Sequence, residues 1–194
     1  VVFSCAAVAR LREIGAFVPN AHFSGHSLGE YSALSAIGDL LSLEDVVRVV
    51  YQRGLTMQHF VPRDERGESP FRMGVIRPNH AGITEKQMFA MVADIANNPD
   101  QYIEIVNYNC RGKQYAVTGY KKGLHELRTR LGAGVTGKAP YVEVPGIDVP
   151  FHSTLLRAGV DAFRKTLESV FPQEINPAVL EGRYWPNLTG KPFE

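Results

Sequence analysis

Near the N-terminus, Val2, Ala6, Val8 or Ala9, Leu11 and Ile14 recur at helical spacing, and this pattern predicts a helix that stops at Gly15. After Pro19-Asn20, the short run 21–24 reads as a strand. It leads through the tight turn Gly25-His26-Ser27-Leu28-Gly29-Glu30 into a second helix. Small residues line that helix, Gly29, Ser32, Ala33 and Ala36, which lets it lie close against a sheet, and Gly38-Asp39 closes it. Ser42 is placed as an N-cap, with Glu44 and Asp45 in the first turn where the helix dipole favours negative charge. The helix that follows runs to about residue 60 and is stopped by Pro62. Residues 63–69 are charged, contain glycine and have no period, as a crossing linker does.

The pattern then changes. Residues 71–76, 102–106, 114–118 and 141–144 read as strands. Between them lie helices at 84–96, with Met88, Met91, Val92 and Ile95 on one face, and at 121–131. The order is βαββαβ, that of a ferredoxin-like subdomain. Pro150-Phe151-His152-Ser153 precedes a helix striped by Leu156, Val160, Phe163, Leu167 and Val170, which Pro172 ends. The turn-rich tail holds one strand, at 183–185.

Composition narrows the function. The 21 Lys and Arg against 20 Asp and Glu leave a formal charge of +1 over 194 residues, which offers no field for gripping a phosphate backbone and argues against nucleic-acid binding. With 44% hydrophobic and 21% charged residues the chain matches packed globular proteins rather than disordered ones. No stretch approaches the roughly 18 apolar residues of a membrane helix, and Val1-Val2-Phe3-Ser4 lacks the basic flank of a leader, so a cytoplasmic site of action is expected. Cys5 and Cys110 match no metal spacing and are expected to be free. The chain opens without Met inside an apolar helical pattern and stops at Pro192-Phe193-Glu194, so it reads as a piece of a longer polypeptide.

Three residues carry candidate chemistry. Gly25-x-Ser27-x-Gly29 between a strand and a helix has the form of a nucleophile elbow, which pushes the serine hydroxyl clear of the sheet. The helix start beside it offers backbone N–H groups, that of Leu28 above all, to a developing oxyanion. The plainer alternative for Ser27 is a helix cap. A serine hydroxyl needs a base, and His152, on a proline-bounded loop just before a helix, is the best placed of the six histidines. Asp148 or a backbone carbonyl would orient its ring. Arg53 interrupts the apolar stripe Val46, Val49, Val50 and Met57, so it points inward and needs an anion. That anion is either a buried carboxylate of the protein or a substrate carboxylate held by the guanidinium fork.

Taken together, these residues resemble the malonyl-CoA:acyl-carrier-protein transacylases, and among them the malonyl/palmitoyl transferase domain of type I fatty acid synthases. Gly25-His26-Ser27-Leu28-Gly29-Glu30-Tyr31-Ser32-Ala33-Leu34 is similar to the family's serine motif and Arg53-Gly54-x-x-Met57 to its arginine motif. Asn107-Tyr108-Asn109 with Gln114-Tyr115-Ala116-Val117-Thr118-Gly119 resembles its small-subdomain strands, and Pro150-Phe151-His152-Ser153 its histidine motif. The segment from Tyr184-Trp185-Pro186-Asn187 to Phe193 resembles the type I synthase version of the region beyond.

The resemblance implies Ser27 as nucleophile, His152 as general base and Arg53 as reader of the malonyl carboxylate. Phe151 would narrow the pocket and Asn109 would steady the site. It also implies that an oxyanion-hole glutamine ahead of residue 1 and a histidine-orienting carbonyl beyond Glu194 belong to the complete site. The expected fold is α/β: a hydrolase-like parallel-sheet domain, incomplete here, from residues 1–66 and 146–194, with the ferredoxin-like subdomain inserted at 67–145. The expected activity is transfer of malonyl, and by resemblance long-chain acyl, groups between CoA and an acyl carrier protein through a seryl ester. Other fatty acid synthase domains would be its neighbours. No metal or permanently bound cofactor is required; the CoA thioesters and the carrier's pantetheine are substrates. The rivals are a serine esterase or thioesterase using the same elbow, which Arg53 argues against, and a non-catalytic carrier-docking piece.

Overall fold

The computed structural model describes residues 1–38, 40–172 and 174–194. In chain order its elements are α1 (Val2–Glu13), β1 (Phe23–Ser24), α2 (Gly29–Gly38), α3 (Leu43–His59), β2 (Phe71–Ile76), α4 (Pro78–Ala81), α5 (Glu85–Ala96), β3 (Ile103–Cys110), β4 (Gln114–Tyr120), α6 (Lys121–Leu131), β5 (Tyr141–Glu143), α7 (Val160–Val170) and β6 (Tyr184–Trp185). They fall into two compact units, residues 1–56 with 161–194 and residues 57–160.

In the first unit β1 and β6 pair in parallel, Phe23 opposite Tyr184 and Ser24 opposite Trp185. Ala33 and Ile37 of α2 pack with Tyr184, and Phe23, Leu34 and Leu180 join them. The helix lined with small residues therefore lies on the sheet, as the spacing predicts; Asp39 of its expected stop lies outside the described residues. Ser42 caps α3: its Oγ accepts the Asp45 N–H at 3.1 Å and donates to the Asp45 carboxylate at 2.7 Å. Val46 and Val49 of α3 are fully buried.

In the second unit the elements run β2-α5-β3-β4-α6-β5, the βαββαβ order, with the short α4 after β2 unforeseen. The sheet order is β3-β4-β2-β5 and every neighbour is antiparallel. Met88, Val92 and Ile95 of α5 pack with Leu124, Leu127 and Leu131 of α6 and with Ile76, Ile103, Tyr115 and Val117 of the strands in one core. Thr84 caps α5 with a complete capping box, its side chain taking the Gln87 N–H while Gln87 returns to the Thr84 N–H. β3 runs four residues beyond its expected end because Asn107 and Cys110 continue the ladder across two register shifts.

Two expectations need adjustment. Unit boundaries drawn by packing differ from the expected 66/67 and 145/146, because Met57, Val61, Val149, Phe151, Leu155 and Leu156 cluster with Phe71 of β2. The helix expected right after Ser153 begins instead as a 3-10 turn, Thr154–Gly159, and becomes α-helical only at Val160. The turn sends Leu155 and Leu156 into that cluster while Val160 is left 49% exposed, so the stripe is broken at Gly159.

Candidate active site

Ser27, Leu28 and Arg53 belong to the first unit, and Asn109, Phe151 and His152 to the second. Ser27 and His152 share one property. Their φ values are +51° and +62°, and among the described residues no other non-glycine residue has a positive φ. Such backbone costs on the order of 1–3 kcal/mol and persists where the surroundings over-determine it, most often at functional sites.

At Ser27 the surroundings are a parallel strand end and a helix start. The Gly29 N–H bonds the His26 carbonyl at 2.9 Å and the Glu30 N–H bonds the Ser27 carbonyl at 3.1 Å, closing the elbow. Gly25 is sterically required: a Cβ there would run into the backbone of Gly29 and Glu30. A Cβ on Gly29 would meet nothing within 4 Å, so only one of the two motif glycines is fixed by close approach. Leu28 is 38% exposed, and among the described residues its N–H has no acceptor.

Arg53 lies on α3, half-buried as the broken stripe predicts. The carboxylate partner weighed for it does not appear: among the described residues no ion pair involves Arg53. Its guanidinium instead stands 6.0 Å from the centre of the Tyr31 ring, at the outer reach of a cation–π contact, one turn beyond the serine. Burial raises the Tyr31 hydroxyl pKa; Arg53 opposes that rise and Glu30 adds to it.

His152 occupies the third place of the turn Pro150–Ser153, closed by the Ser153 N–H on the Pro150 carbonyl at 3.2 Å. That is the place where a type II turn needs positive φ. Past it, Ser153 is buried and caps the 3-10 turn, its Oγ accepting the Leu155 N–H at 3.2 Å. A single carboxylate oxygen anchors the whole corner. Oε2 of Glu104, on β3, accepts from Ser153 Oγ at 2.8 Å, Thr154 N–H at 3.0 Å, Thr154 Oγ1 at 2.9 Å and the Tyr102 hydroxyl at 3.1 Å. Burial alone would raise the Glu104 carboxyl pKa, but these hydrogen bonds outweigh it and hold the group below its ordinary range.

Asp148, weighed as an orienting group, gives one oxygen to Arg63 at 2.6 Å, and that hydrogen bond holds its carboxyl low. Phe151 packs against the Val61, Phe71 and Val149 cluster. Asn109 is exposed on β3, within the register shift between Asn107 and Cys110. Cys5 and Cys110 are both free thiols. Among the described residues no cluster of His, Cys, Asp or Glu is arranged to hold a metal ion, and no helix is long and apolar enough to cross a membrane.

Two residues escape the sequence reading, Glu104 and Asn187. Asn187 follows β6 and bonds the elbow directly, Nδ2 donating to the Gly25 carbonyl at 2.6 Å and Oδ1 accepting the Ser27 N–H at 2.7 Å. The signal for Asn187 is its place just past a predicted strand, where a parallel partner brings it to the serine loop. For Glu104 the signal is a carboxylate between Ile103 and Ile105 in a strand.

The chain is 38% identical over 231 residues to the fatty acid synthase subunit beta of Schizosaccharomyces pombe, a match that covers 95% of this chain and 11% of that one. The crystal structure of an acyl-carrier-protein S-malonyltransferase from Bartonella henselae superposes with a TM-score of 0.75 at 27% identity, covering 97% of this chain and 54% of that one. A malonyl-transacylase in complex with a type II polyketide synthase acyl-carrier protein gives a TM-score of 0.69 at 28% identity, covering 87% and 49%. The chain thus spans about a tenth of the synthase subunit and about half of the malonyltransferases it matches. The acyl transferase domain family matches residues 1–121, more than half of the length and the part that holds Ser27 and Arg53, and the chain belongs to that family.

Proposed function

We propose that this chain is the acyltransferase portion of a type I fatty acid synthase and moves malonyl groups from CoA to an acyl carrier protein in the cytoplasm. The observation that carries the reading is the left-handed Ser27 elbow with the Leu28 N–H unclaimed beside it. In the proposed cycle Ser27 Oγ attacks the thioester carbonyl while His152 takes its proton. The oxyanion is held by the Leu28 N–H, and the CoA sulfur leaves with the proton from His152. The pantetheine thiol then gives its proton to His152, attacks the seryl ester and restores the Ser27 hydroxyl. Arg53, with no carboxylate of the described protein to satisfy it, binds the malonyl carboxylate. Phe151 narrows the acyl pocket and Asn109 steadies the site. The cycle uses no resident metal or cofactor, and return of long-chain acyl groups to CoA is a second use of the same serine. Kinship with a synthase subunit and with malonyltransferases at 27–28% identity supports this reading over an esterase.

Substitution of Arg53 tests the substrate. Arg53→Ala in the parent protein leaves a malonyl carboxylate buried and unmatched, costing roughly 2–5 kcal/mol, or about 30-fold to several thousandfold in kcat/KM for malonyl-CoA. Palmitoyl-CoA, which has no carboxylate, is expected to react as well as before. A parallel fall for both substrates would assign Arg53 to the fold. Time courses with and without a pantetheine acceptor separate transfer from hydrolysis, because free malonate released equally in both would identify a thioesterase.

A further inference from the structure

The parallel register of β1 with β6 carries both strands to the same edge, so the residues just beyond them, Gly25 to Ser27 and Pro186 to Asn187, lie side by side. One amide spans the gap. Asn187 Nδ2 donates to the Gly25 carbonyl at 2.6 Å and its Oδ1 accepts the Ser27 N–H at 2.7 Å, so both faces of the side chain are used. The side chain is itself fixed from behind, because the Asn187 N–H donates to Glu30 Oε1 at 2.7 Å, an oxygen that also accepts the Tyr184 hydroxyl at 3.0 Å. Burial pushes the Tyr184 hydroxyl pKa up, and its bond to Glu30 pushes it further.

We propose that Asn187 is the positioning residue of the nucleophile elbow, holding Ser27 in its left-handed conformation from a segment 160 residues away. Two bonds to residues 25 and 27 set the peptide planes on either side of His26, and those planes carry the serine to φ +51°. Occupying the Ser27 N–H has a second effect. The Leu28 N–H is left as the elbow's donor for an oxyanion. Glu30 and Tyr184 act one step further back, on the orientation of Asn187. The inference rests on the reading of Ser27 as nucleophile.

A fluorophosphonate tests it on the full-length parent protein, because the reagent phosphonylates activated serines whatever acyl group the enzyme prefers. Ser27 Oγ bonds to phosphorus, fluoride leaves and the hydroxyl proton passes to the base. The expected result is that Asn187→Ala slows the labelling rate of Ser27 at least tenfold while the final extent of labelling and the KM for malonyl-CoA stay within about twofold. A merely structural residue would lower the labelled fraction and leave the rate of the folded molecules unchanged. Asn187→Asp provides a second arm if the alanine variant fails to fold. It keeps an acceptor for the Ser27 N–H but turns a carboxylate oxygen toward the Gly25 carbonyl. Its labelling rate relative to wild type should therefore recover as pH falls through the carboxylate range and an O–H becomes available to donate. An unchanged rate in Asn187→Ala, or a variant-to-wild-type ratio that does not move with pH in Asn187→Asp, overturns the inference. Absence of Ser27 labelling in the wild type would instead overturn the nucleophile reading on which it rests.

Discussion

The turns that present Ser27 and His152 bend the backbone the same way, with φ of +51° and +62°, yet they are held by unlike means. The serine turn is pinned by steric contact and by a neutral amide: Gly25 lies against the start of α2, and Asn187 reaches across from the end of β6. The histidine turn is pinned from its far side by the four donors that converge on one oxygen of Glu104. A steric and amide clamp tolerates no added atom, whereas a carboxylate clamp depends on an acceptor oxygen staying in place for its donors. The contrast says where each turn will fail.

Gly25→Ala should have the larger effect. The added methyl group overlaps backbone atoms that cannot move aside without unwinding the first turn of α2, an overpacking cost on the order of 3 kcal/mol, or about a hundredfold in the population of the working elbow. Single-turnover acylation measures it. Gly29→Ala, two residues beyond the serine, meets open space and should leave acylation within about threefold, since an exposed change of this kind costs well under 1 kcal/mol. If both variants fall alike, the steric account of the elbow is wrong.

Glu104→Ala leaves the Ser153 hydroxyl and the donors of Thr154 and Tyr102 without their acceptor, and should lower stability by about 2–4 kcal/mol with a matching loss of His152 positioning. Glu104→Gln retains a neutral oxygen for the same donors and should lose only about 1 kcal/mol. Chemical denaturation and acylation rates, compared between the two variants, separate geometry from charge.

The pH dependence follows from the same carboxylate. Its pKa is lowered on folding, so its contribution is present in full above the ordinary carboxylate range and is lost as pH falls through the depressed folded value; Asp148 with Arg63 adds in the same direction. Once normalised to neutral-pH stability, acid denaturation midpoints should therefore shift to lower pH in Glu104→Gln relative to wild type, because the variant has no carboxylate there to protonate. An identical acid profile would mean that Glu104 acts only through its shape.

What could be read from the sequence tracks how local each cause is. β2 and α6 lie where the periodicity puts them, and α5 is entered through the Thr84 cap that its first turn calls for. Ser27, His152 and Arg53 are visible as residue types out of keeping with their surroundings: a serine between glycines, a histidine on a proline-bounded loop and an arginine in an apolar stripe. Asn187 and Glu104 are not visible in that way. Each acts on a residue 49 or more positions distant, and only the tertiary fold brings them together. The 3-10 start before α7 was hidden for a related reason, since Leu155 and Leu156 obey a tertiary cluster rather than the helical stripe.

The proposed function requires Ser27 to carry the acyl group. Incubating the full-length parent protein with malonyl-CoA, quenching in acid and mapping the adduct by peptide mass spectrometry tests it directly. The expected result is one malonyl ester on the peptide that contains Ser27, lost in Ser27→Ala and discharged by a pantetheine thiol. A malonyl adduct that persists in Ser27→Ala, or turnover with no seryl ester at all, would contradict it.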